Sequence, residues 1–94
     1  MKVVASLRVQ QKLKAKHKVT LDEVYECLQN RTGGFLEDTR TEHQTVPPTL
    51  WCVAATNDGR LIKVVFVELP DFVYEIKTAY EPNADEVRIY VKYS

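Results

Sequence analysis

Two hydrophobic periods divide the chain. Over the first third the apolar positions recur at helical spacing, and from about residue 35 to residue 79 they alternate at strand spacing. Ser6 offers an N-cap, and Leu7 to about His17 reads as a helix whose apolar stripe, Leu7, Val9 and Leu13, is thin. The next helix has the clearest start. Thr20-Leu21-Asp22-Glu23 fits a capping box, with Thr20 as cap and Glu23 reaching back to it. Val19 and Val24 stand where a hydrophobic staple belongs, and Leu21, Val24 and Leu28 supply the buried face. Gly33-Gly34 is expected to end this helix, because glycine accepts left-handed C-terminal geometry. Residues 1–5 allow a short strand ahead of both helices.

Strands are predicted over Phe35–Arg40, Thr49–Thr56, Arg60–Glu68 and Phe72–Ala79. Asn57-Asp58-Gly59 is a strong hairpin signal, Leu69-Pro70-Asp71 a second turn, and residues 41–48 a polar loop closed by Pro47-Pro48. Asn83 with Glu86 suggests a capped helix over about 84–92, although the alternation of Val87, Ile89 and Val91 also permits a strand. The expected architecture is one α+β domain spanning 1–94. It has two N-terminal helices, a twisted antiparallel sheet of four or five strands with helices on one face, and a short C-terminal helix.

If Leu69-Pro70-Asp71 is a three-residue loop, Phe66 opposes Tyr74, Val64 opposes Ile76 and Ile62 opposes Thr78, a row that should face the helices. On the other face Val65 opposes Glu75, and Lys63 opposes Lys77. Two ammoniums directly across neighbouring strands repel. They are explained either by an anion held between them or by a solvated face in which Glu75 compensates.

Composition is ordinary for a globular protein of 94 residues, with 45% hydrophobic and 28% charged positions. No run approaches a membrane span, and the N-terminus lacks an apolar signal region, so a cytoplasmic location is expected. A net charge of 0 argues against a simple nucleic-acid sponge, but its distribution is uneven. Residues 1–19 carry six cations and no acid, whereas the remainder carries seven cations and thirteen acids. Such asymmetry marks either an anionic partner or a solvated helix face. Cys27 and Cys52 form no metal-binding pair and read as reduced, packed thiols. His17 and His43 lack a partner at ligand spacing, so no metal and no cofactor is expected. Gly33-Gly34 is not a phosphate loop, Ser6 and Ser94 have no triad context, and Trp51 reads as core.

Four segments taken in order resemble the BrnT-type toxins. They are Lys16-His17-Lys18-Val19-Thr20, Glu23-Val24, the run from Asn57 through Gly59 to Phe66, and Ile76-Lys77-Thr78-Ala79-Tyr80-Glu81-Pro82. They also resemble a group of small domains ending in a Thr-X-Tyr-Glu-Pro motif, and through both the RelE superfamily of RNA- or ribosome-directed toxins. Asp38-Thr39-Arg40, His43, Thr45, Pro47-Pro48-Thr49 and Trp51 resemble a narrower subgroup. Its members carry a name implying ADP-ribosyl-dinitrogen-reductase hydrolase, yet the chain has no acidic two-metal constellation of the kind such hydrolases use.

The resemblance implies a RelE-like fold, metal-independent RNA cleavage by side chains on and around the sheet, RNA or the ribosome as target, and a cognate antitoxin protein as partner. The arginine after the hairpin glycine corresponds to Arg60. The family's arginine at the end of the last strand falls on Tyr80, and its Glu-X-Arg entering the second strand is replaced by Pro-Pro-Thr. Metal-free cleavage needs a base for the ribose 2′-OH, cations for the phosphorane and an acid for the leaving oxygen. Arg40, Arg60, Lys63 and Lys77 are the candidate cations; His43, Tyr80 and Glu75 are the candidates for proton transfer. Of these, His43 alone titrates near neutrality when unperturbed. Lys12, Lys16 and Glu75 are candidate substrate contacts. Two other readings stand beside this one: a non-catalytic nucleic-acid- or protein-binding module of the same fold, and a small hydrolase for a phosphorylated or ADP-ribosylated substrate.

Overall fold

A computed structural model describes residues 1–40 and 45–94. The N-terminal strand is Lys2–Val4 (β1). Ser6 then accepts the Val9 backbone N–H at 3.1 Å and starts α1, Leu7–Lys12. The helix widens into a π-helical turn over Leu13–His17, where the N–H groups of Lys18 and Val19 both converge on the Leu13 carbonyl. Lys18 closes that turn in the left-handed region, at φ 56°.

Helix α2 spans Leu21–Asn30, and both hydrogen bonds of its capping box are present. The staple residues Val19 and Val24 are buried. Glycine does not end it. Arg31 leaves with φ −59° and ψ 142°, and the Asn30 amide donates to the Ala55 carbonyl and to Asn57, tying the last turn to the next hairpin. Gly33 answers a different need. A Cβ there would lie 2.8 Å from Tyr90 Oη and would collide with Ser94 as well, so glycine lets the C-terminal helix close on this segment.

Strand β2 covers only Leu36–Glu37, shorter than alternation suggested, with one further ladder bond from Asp38 N–H to the Thr49 carbonyl. Two interactions flank it. Phe35 turns onto Phe66 and Tyr74, with ring centroids 4.8 and 5.8 Å away. Asp38 accepts both the Arg40 backbone N–H and its guanidinium, which bends the chain. Strands β3 (Thr49–Ala55), β4 (Leu61–Leu69) and β5 (Val73–Tyr80) follow, then α3 (Ala84–Tyr93) with a complete Asn83–Glu86 capping box. The helix reading of the C-terminal segment is therefore the one realised.

The protein is α+β, and its described residues form three helices around a five-stranded sheet in the order β1-β5-β4-β3-β2. The sheet is mixed, because β1 runs parallel to β5 while every other pair is antiparallel; this corrects the expectation of an antiparallel sheet. Ile62, Val64, Phe66, Ile76 and Ala79 face Leu13, Val19, Val24 and Cys27 of the N-terminal helical layer. Helix α3 meets the other parity, through Trp51, Lys63 and Tyr80, so helices cover both faces and not one. The two thiols are free and buried, and burial pushes Cys27 up to about 11 and Cys52 up to about 12, so both pack protonated. Among the described residues no helix is long and apolar enough to cross a membrane.

The β4–β5 register differs from the expected one in two ways. Leu69 pairs with Val73 and Phe66 with Ile76, two residues along from the expected pairing, with the same side chains still facing inward. A bulge then sets Lys77 outside the ladder, so Val65 pairs with Thr78, Val64 with Ala79 and Lys63 with Tyr80. The extra residue reverses the parity of the strand's end. Small Ala79 enters the core, and Thr78 and Tyr80 turn to the opposite face.

The β4–β5 turn carries strain: Asp71 and Phe72 both have positive φ, 67° and 58°. Phe72 is 70% exposed and contributes little packing. Phe72→Gly is expected to raise stability by about 0.5–1 kcal/mol, since a side chain in this region costs more than glycine's added chain entropy. An upward shift of the urea midpoint at unchanged m-value is the measurement.

Candidate functional site

The sheet face under α3 opens into a groove of about 990 Å³. Trp51, Lys63, Val65, Thr78 and Tyr80 come to it from the three long strands, Arg40 from the segment after β2, and Glu86, Ile89 and Tyr93 from α3.

At its centre Lys63 projects from β4 between two aromatic rings. Its ammonium lies 4.5 Å from the Trp51 ring centroid and 5.6 Å from that of Tyr80. The same nitrogen donates to Glu86 Oε2 at 2.6 Å, and Tyr80 Oη donates to that oxygen at 2.9 Å. Both side chains are largely buried, 13% exposed for Lys63 and 19% for Glu86. The other oxygen of Glu86 accepts the Asn83 backbone N–H at 3.0 Å. One carboxylate therefore starts α3 and fixes the central lysine. Burial acts to raise the Glu86 carboxyl, but the hydrogen bonds from Lys63, the Asn83 backbone and Tyr80 outweigh it, and the group stays below its ordinary value.

Helix α2 repeats this device at the near end of β4. Glu23 caps Thr20 through Oε1 and approaches the Arg60 guanidinium through Oε2, at 3.6 Å. Arg60 also donates to the Lys18 and His17 carbonyls at 2.7 and 2.9 Å, and to Glu81 at 2.9 Å. It clamps the left-handed exit of the π-helical turn to the hairpin, and it does not line the groove.

Of the candidates named from sequence, Arg40, Lys63, Lys77 and Tyr80 line one groove. Lys63 and Lys77 share it without being cross-strand partners, because the ladder runs two residues along from the expected register and the bulge then shifts Lys63 onto Tyr80. Lys77 instead donates to Glu75 at 2.9 Å, an exposed pair beside the groove. Arg40 pairs with Asp38 at 2.9 Å. Arg60, Glu75, Lys12 and Lys16 are not among the groove's lining residues. His43 falls outside the described residues. Among those described, no three His, Cys, Asp or Glu side chains converge as a metal site.

Sequence reading missed Glu86, Trp51 and Thr78. Glu86 carried a signal, as the N3 residue of a capping box, but that motif does not reveal where the second carboxylate oxygen points. Trp51, read as core, is half-buried at the groove, and Thr78 reaches it only because of the bulge.

The arrangement offers cations for a phosphate, aromatic faces for a base, and a tyrosine hydroxyl for proton transfer. An entering phosphate must compete with Glu86 for Lys63 and Tyr80. No family model matches the chain, and no curated protein matches it.

Proposed function

We propose that this chain is a RelE-like domain, related to the BrnT-type toxins, that acts on RNA in the groove beneath α3 by metal-independent cleavage or by blocking translation. The observation carrying this reading is convergence. Arg40, Lys63, Lys77 and Tyr80, singled out by charge pattern and resemblance, share one groove with the exposed part of Trp51. Aromatic faces beside cations suit single-stranded RNA, whose bases stack while its phosphates pair. In a cleavage reaction Lys63 stabilises the phosphorane charge and the Tyr80 hydroxyl is placed for proton transfer, with Glu86 holding both. A cognate antitoxin that masks the groove is the partner this reading calls for.

A specific feature favours the non-catalytic binding module as second reading. Each of the three groove cations already has a carboxylate partner: Asp38, Glu75 or Glu86.

Labelled single-stranded RNA, incubated with the protein with and without ribosomes, separates the two. Cleavage that persists in EDTA is expected. Cleavage abolished by EDTA overturns the metal-free mechanism, and no cleavage under either condition favours the binding module.

A further inference from the structure

The groove cations and the N-terminal cations differ in a way that charge counting does not reveal. Lys2, Arg8, Lys12, Lys14, Lys16 and Lys18 are all exposed. Among the described residues none of them forms an ion pair, whereas Arg40, Lys63 and Lys77 each do.

Their placement is also distinct. Leu13 anchors the α1–π segment on the sheet face built from Ile62, Val64 and Phe66, and the groove lies on the opposite face. Burial, then Lys16 and then Lys12, hold His17 below its ordinary value, as expected beside concentrated positive charge. Arg8 and Lys12 stand on α1, Lys14 and Lys16 on the π-helical turn, and Lys18 at its left-handed exit.

We infer that the exposed cations of α1 and the π-helical turn form a second RNA surface, which grips the phosphate backbone of a folded RNA from the side of the sheet opposite the groove. This rests on the RNA-directed reading above and adds a division of labour to it. The groove, whose cations are internally paired, handles the reacting strand. The helical surface, whose cations are unpaired, supplies affinity by releasing counterions from RNA. It reads shape and charge, not sequence, because phosphate contacts carry no base information.

Binding of a labelled RNA hairpin with a single-stranded tail, followed by anisotropy across a salt series, tests the surface independently of cleavage. The triple variant Lys12→Gln, Lys14→Gln, Lys16→Gln is expected to bind at least about tenfold more weakly at low salt. Its slope of log affinity against log salt should fall by about 2–3, the worth of three phosphate contacts. The corresponding triple arginine variant should bind like wild type, and Lys77→Ala should change the slope by about 1 or less. Thermal melts should match, since these lysines are exposed and unpaired. Wild-type affinity and slope in the triple glutamine variant would overturn the inference, as would failure of wild type to bind the hairpin. Salt-steep binding by wild type, lost in the triple variant, without any cleavage would support this surface while removing the cleavage reading.

Discussion

Lys63→Met is expected to lower folding stability by about 2–3 kcal/mol and, on the proposed RNA-directed reading, to cut RNA cleavage by about 10²–10³. Methionine keeps the apolar stem between Trp51 and Tyr80 and removes only the ammonium. Removing one partner of a buried ion pair costs about 3–5 kcal/mol, because the other charge is left uncompensated. The Lys63–Glu86 pair is 13% and 19% exposed, so the cost falls somewhat below that range. Glu86 keeps the Tyr80 hydroxyl and the Asn83 N–H, which limits the damage further. The rate loss has a separate origin, since one well-placed donor to developing charge is worth about 10²–10³. The sequence alone suggested that losing Lys63 would relieve repulsion with Lys77. Pairing of Lys63 with Tyr80 and Glu86 removes that argument and reverses the expected sign.

Acid pH provides an internal control. Glu86 titrates below its ordinary value of 4.5 in the folded protein. Its contribution to stability is therefore complete above the unfolded value and fades as pH falls through the lower folded one. Urea midpoints of wild type and Lys63→Met should differ most near neutrality and draw together in acid. In Lys63→Met combined with Glu86→Gln, much of the lost stability should return at neutral pH without restoring cleavage. A single variant as stable as wild type at pH 7 would dismiss the pair as a structural element. Stability lost with full cleavage retained would dismiss Lys63 as a catalytic group.

The legible parts of this fold are those set by short-range chemistry. Thr20 with Glu23 and Asn83 with Glu86 marked two helix starts, because a capping box is complete within four residues. Asn57-Asp58-Gly59 marked a hairpin, with Gly59 at φ 87° as such a turn requires. The inward row of Ile62, Val64, Phe66 and Ile76 followed from alternation alone. Long-range placement was not legible. Nothing local in Ile76-Lys77-Thr78 announces a bulge, yet it decides whether Thr78 or Ala79 enters the core and which residue faces Lys63. The parallel seating of β1 against β5 depends on segments far apart in sequence. The groove was half legible for the same reason: charge pattern pointed to Lys63 and Lys77, whereas Glu86 meets Lys63 across 23 positions of sequence.

Arg60→Ala is expected to destabilise the fold by about 2–4 kcal/mol while leaving cleavage per folded molecule within about fivefold of wild type. The resemblance placed this arginine among the catalytic cations. Its geometry describes a clamp, with Lys18 and His17 carbonyls at 2.7 and 2.9 Å and Glu81 at 2.9 Å. The two carbonyls belong to a helix end where backbone acceptors lack intrahelical donors and Lys18 is held at φ 56°. Hydrogen bonds from a charged group are each worth about 1.5–3 kcal/mol, and the partial exposure of Arg60, 29%, reduces their sum. Arg60→Lys should recover little, because one ammonium cannot span two carbonyls and a carboxylate as a planar guanidinium does. Urea denaturation of both variants gives the stability, and cleavage at a temperature where each remains folded gives the rate. A melting curve unchanged in Arg60→Ala together with a rate loss of about 10² or more would move Arg60 from scaffold to catalysis.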